Sequence, residues 1–69
     1  MYYVGRYDNG SGYMEWAGRP VDSISAAKDQ VKGETWTARD VVEVEGDREL
    51  SIIVASAPLG QEWKSDGIL

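Results

Sequence analysis

Polar and apolar residues alternate over residues 2–7 in a run rich in strand formers. Tyr3, Gly5 and Tyr7 share one face of this predicted strand; Tyr2, Val4 and Arg6 share the other. Asp8-Asn9-Gly10-Ser11-Gly12 follows as the clearest turn in the chain, because Asn-Gly supplies the positive φ of a tight hairpin. Residues 13–17 read as the returning strand, with Met14 and Trp16 on one face, and Gly18-Arg19-Pro20 ends it. Asp22 or Ser23 can then cap a helix of about three turns. Ile24, Ala27 and Val31 form its single narrow apolar stripe, Lys28, Asp29 and Lys32 its outer side, and Gly33 its stop.

The strongest pairing signal comes later. Residues 40–45 alternate with Val42 and Val44 inward and Glu43 and Glu45 outward, and Gly46-Asp47-Arg48-Glu49 turns the chain. Residues 50–55 return with Leu50, Ile52 and Val54 inward. Residues 34–38 connect helix to strand and carry Trp36. Residues 61–64, with Trp63, have room for a short fifth strand, and residues 65–69 read as a loose tail on which Ile68 and Leu69 could still dock. The pattern predicts one α+β domain over residues 1–69. Its order is β-β-α-β-β, a small antiparallel sheet with one helix packed on one face.

Size sharpens this picture. A chain of 69 residues buries only about 60% of its unfolded surface, so its core is thin. The usual supports of a small domain are missing, since the chain has no Cys and no His. Association with a second chain is the remaining route to extra stability. The N-terminus has no charged segment leading into an apolar run, and no stretch approaches the roughly 18 apolar residues of a membrane span. A soluble cytoplasmic protein is expected.

Without His or Cys, none of the serines has its usual activating base, and Lys28, Lys32 and Lys64 read as exposed. Glu43 and Glu45, two apart on one strand, stand roughly 7 Å apart, a spacing glycosidases use. Alternating Glu is also the ordinary polar face of a half-buried sheet. The glycine-rich turn lacks the Lys and helix of a phosphate loop, and it lacks the final Glu of a calcium loop, where Arg19 stands instead. No catalytic, metal or cofactor residue is assigned, and no enzyme is expected. The net charge of −5 opposes phosphate-backbone binding, and Arg6, Arg19, Arg39 and Arg48 are scattered among acids, so direct nucleic-acid binding is a weak alternative.

Two features remain. The first is the acidic run Asp40, Glu43, Glu45, Asp47 and Glu49, offset by Arg48 alone. It reads either as a solvated face that protects a sheet edge or as an array that meets a basic partner. The second is the aromatic set of four Tyr and three Trp with no Phe. A core without Phe must take some of these rings. Trp16 fits it best, leaving Tyr3, Tyr7 and Tyr13 for contact with a partner.

The helix opening Ser23-Ile24-Ser25-Ala26-Ala27-Lys28-Asp29, the strand Val41-Val42-Glu43-Val44-Glu45, the return Leu50-Ser51-Ile52-Ile53-Val54 and the late Trp63 resemble many small phage-borne proteins. Some anti-CRISPR proteins share this size and layout. The resemblance covers residues 23–63 and implies an inhibitor that binds a nuclease or surveillance complex, its acids occupying a nucleic-acid channel. It carries over no functional residue. The expected function is a non-catalytic protein-binding module that presents an acidic hairpin to a basic surface. The alternative is a self-associating structural or assembly protein that uses Tyr/Trp faces.

Overall fold

The computed structural model describes residues 1–65. Its elements run β1 (Tyr2–Asp8), β2 (Met14–Trp16), α1 (Ile24–Gln30), β3 (Arg39–Glu45), β4 (Arg48–Ala57) and β5 (Lys64–Ser65). The strands form one antiparallel sheet in the order β2-β1-β3-β4-β5, with α1 packed on β1 and β3. The α+β architecture is the expected one, including the fifth strand. That strand lies later than predicted, where Ser65 pairs with Ala55 and Lys64 with Ser56. Ser65 therefore belongs to the sheet rather than to a loose tail; the rest of the predicted tail, with Ile68 and Leu69, lies outside the described residues.

The helix is shorter than its apolar stripe suggested. Ser23 caps it, its hydroxyl accepting from the Ala26 amide at 3.0 Å, and it ends at Gln30 with Val31 as C-cap. Lys28 is the base in its last turn, and Lys32 lies beyond the C-cap. Gly5 decides how closely α1 approaches the sheet. A Cβ at Gly5 would run into the Ala27 carbonyl oxygen, with Val31 next in line. Gln30 completes the contact. Its Oε1 accepts from the Gly5 amide at 2.8 Å, and its Nε2 donates to the Arg19 carbonyl at 2.7 Å. The chain has left β1 at this point, after Ala17 pairs with Gly5 and before Val21 pairs with Tyr3. A helix side chain thus fills the gap in the ladder that Gly18-Arg19-Pro20 opens.

The register corrects the expected one-sided core. In β3 every residue from Arg39 to Val44 is buried, so both faces of this central strand are covered. On the helix face, Ala27, Val41 and Ala55 cluster with Tyr3, Ile24, Val54 and Trp63 packed around them. On the other face, Val4, Val42 and Val44 cluster beneath Trp16. The largest fully buried side chains are all Val, which gives physical form to the thin core.

The β3–β4 hairpin turns through only two residues, Gly46 and Asp47, since Glu45 pairs with Arg48. Gly46 takes φ +64, as the first position of a primed hairpin turn requires. Beyond the turn the register slips twice. Val44 pairs with Glu49, Val42 with Ile53 and Val41 with Ala55. The extra residues all lie on β4, and Ser51 takes φ +60 among them. These bulges shift the alternation, so Ile52 is 47% exposed instead of buried while Ala55 and Ala57 take the inward places. Val54 stays inward against the core and Leu50 is half-buried.

Gly5→Ala should destabilise the fold by about 3 kcal/mol through overpacking against a backbone atom that cannot rotate away. Urea denaturation followed by circular dichroism measures it; a change near zero would show that α1 does not rest on Gly5.

Candidate functional site

The acidic run does not form one surface. Asp40 and Glu43 are 7% and 5% exposed, which corrects the expectation that both are displayed for contact. β3 is central in the sheet and covered on both faces, so alternation alone cannot bring either acid to solvent.

Asp40 points to the face opposite the helix and is consumed by Arg6. Arg6 Nε donates to Asp40 Oδ1 at 2.8 Å and Nη2 donates to Oδ2 at 2.6 Å, a two-bonded fork. Arg6 Nη1 donates to Glu49 Oε1 at 2.9 Å, and Trp16 Nε1 donates to Glu49 Oε2 at 2.6 Å. One guanidinium and one indole therefore join β1, β2, β3 and β4. The Arg6 pKa is raised chiefly by the hydrogen bonds to Asp40, then by the charges of Asp40 and Glu49, against the opposing effect of burial. Glu49 is tied inward, although its side chain remains 37% exposed.

Glu43 lies on the helix face, opposite Tyr3 in β1. Across β4 it meets the bulged stretch between Ile53 and Glu49, and its buried Oε2 has no hydrogen-bond partner among the described residues. Within this run, only the hairpin end keeps its acids in solvent. Glu45 is 70% exposed and bonded to Arg48 at 2.6 Å, and Asp47 is exposed at the tip.

The aromatic expectations divide as well. Tyr13 is 76% exposed, just ahead of β2. Tyr3 packs against the helix-side core. Tyr7 is half-buried, and its hydroxyl donates to Glu15 Oε1 at 3.0 Å, which raises the phenol's pKa. Trp16 covers the second core cluster, as its pairing with Met14 suggested. The exposed residues not foreseen include Tyr2 and Trp36, at 54% and 64%, and Ile52, at 47%; its neighbour Ile53, on the outward phase of the predicted strand, is 48% exposed. Ile52 and Ile53 lie where β4 has no outer neighbour among the described residues, since β5 pairs with Ala55 and Ser56 alone.

The glycine-rich turn is a self-contained hairpin. Asp8 Oδ1 accepts from the Gly10 and Gly12 amides at 2.8 and 3.3 Å, and the Asp8 carbonyl accepts from the Thr37 hydroxyl at 2.8 Å. No three acidic side chains gather in metal-binding proximity among the described residues. No described helix is long and apolar enough to cross a membrane.

Charge of the opposite sign collects elsewhere. Lys28, Lys32 and Arg39 line one open cleft with Trp63. Arg39 and Asp40 are neighbours in sequence yet face opposite sides of the sheet, Arg39 beside Tyr7 and Asp40 beside Arg6. No protein-family model matches the chain, and no match was found among curated proteins or solved structures.

Asp40→Asn should cost about 3 kcal/mol, because it leaves a largely buried guanidinium short of its main counter-charge. Thermal and urea unfolding measure the loss; a variant as stable as the parent would mean that Arg6 and Asp40 contribute no net stability.

Proposed function

We propose that this chain is a non-catalytic protein-binding module whose contact surface is the outer end of the β3–β4 hairpin. The observation that carries the reading is the exposure of Ile52 and Ile53, at 47% and 48%, on an edge without an outer neighbour among the described residues. Glu45 and Asp47 are exposed at the turn of the same hairpin. An apolar anchor with a charged border is the usual anatomy of a protein contact. The border is acidic and the chain carries −5 overall, so the fitting partner is a protein with a basic surface surrounding an apolar patch.

The bulges argue for contact through side chains rather than through strand addition. Irregular hydrogen bonding and the left-handed Ser51 disturb the template an incoming strand would need. A basic surface of this kind includes one that otherwise holds nucleic acid, so an inhibitor of the anti-CRISPR type is one form the module could take. Self-association through the same Ile pair is the competing outcome, favoured by the thin Val/Ala core.

Capture on the immobilised chain, followed by purification and calorimetric titration of the captured protein, tests the reading. The partner should be basic at its contact surface. Glu45→Lys with Asp47→Lys, and separately Ile52→Asp with Ile53→Asp, should each weaken binding by about tenfold or more while the fold is retained. Equal affinity of both variants would overturn the assignment. Sedimentation showing that the chain pairs only with itself through Ile52 and Ile53 would replace it with the self-associating reading.

A further inference from the structure

The cleft between α1 and the segment leading into β5 is a separate feature from the hairpin end. Its volume, about 730 Å³, falls in the range of small-molecule sites. In a chain with only seven Lys and Arg residues, three of them line this one cleft. Arg39 lies deepest, at 7% exposure, while Lys28 is half-buried and Lys32 exposed.

Arg39 is incompletely satisfied. Its Nη2 donates to the Gln61 carbonyl at 3.0 Å, but its buried Nε has no acceptor among the described residues. None of the ion pairs among those residues involves Arg39, Lys28 or Lys32. Trp63 holds two of the cations against its ring, with Lys28 Nζ 5.4 Å and Arg39 Cζ 5.0 Å from the centroid. A ring face attracts a cation but offers Nε–H no in-plane acceptor. A buried guanidinium in this state carries charge that its surroundings leave uncompensated, and an anion held in the cleft would offset it.

We infer that this cleft binds a small phosphate monoester, anchored by Arg39 and flanked by Lys28 and Lys32. Phosphate suits the site better than carboxylate. The Ser25 and Thr35 hydroxyls add to the donors along the cleft, and a phosphate offers three acceptor oxygens and close to two negative charges. The cleft is larger than phosphate alone and leaves room for an organic body. Asp29 and Glu62 also line it at exposed positions, and they would repel the further phosphates of a polyphosphate or a nucleic-acid strand.

Nuclear magnetic resonance titration of the full chain at constant ionic strength tests this. The probes are inorganic phosphate, phenyl phosphate, acetate and a short single-stranded oligonucleotide. Phosphate should shift the Arg39 Nε–H and Trp63 indole resonances saturably, with half-saturation below about 10 mM, and phenyl phosphate should bind more tightly. Lys28→Met with Lys32→Met, one in the last turn of α1 and one just beyond its C-cap, should weaken binding about tenfold with the fold intact. The inference is overturned by unsaturable shifts with both phosphates, by unchanged affinity in the double variant, by acetate matching phosphate, or by a tighter response to the oligonucleotide.

Discussion

Arg6 is the residue on which the sheet depends. The core contains no Phe and its fully buried side chains are no larger than Val, so apolar packing alone gives the two faces of β3 little depth. Arg6 supplies a clasp across the face that lacks the helix. It binds Asp40 on the neighbouring strand through two hydrogen bonds and Glu49 on the next strand through a third. Glu49 in turn fixes the Trp16 ring that roofs Val4, Val42 and Val44. Burial of such a pair costs desolvation, and its benefit is largely the single geometry it enforces on the bulged hairpin. The opposite face has an uncharged counterpart: Gln30 closes the β1 ladder, and Gly5 lets α1 approach.

This clasp determines what the chain can present to a partner. It takes Asp40 out of the acidic run and draws Glu49 inward, so the acids left free at the hairpin end are few. The bulges compensate in a different chemistry by turning Ile52 outward beside the exposed Ile53. Other cations gather between the helix and the segment before β5, where Arg39 and Lys28 both lie against the Trp63 ring. The molecule thus separates an acidic and apolar hairpin end from a cationic cleft, despite a sequence in which the two charge types are interleaved.

Much of the fold was legible in the sequence, since strand alternation, the Asn-Gly turn and the Ser23 cap are local signals. The site was less so, because its determinants are not local. Glu43 and Glu45 alternate as exposed acids should, and nothing within residues 39–45 reveals that the helix covers one face and Trp16 with the Arg6 clasp the other. The inward phase assigned to Ile52 failed because a bulge adds residues to one strand without a composition cue; Ser51 is an ordinary residue held at φ +60. In the sequence Arg39 is one of four arginines scattered among acids, with Asp40 next to it. A strand places adjacent residues on opposite faces, and that rule, applied to this pair, was the available signal that Arg39 stands apart from the acid.

Hydrogen exchange of Arg6→Met tests the clasp most directly. If Arg6 unites the four strands, amides of β2, of Val42 and Val44 and of the first turns of β4 should lose protection together, by about tenfold or more, while the helix keeps its own. Loss confined to β1 beside the substituted residue, or no loss at all, would contradict the account and leave the Val/Ala core as the sole support of the sheet.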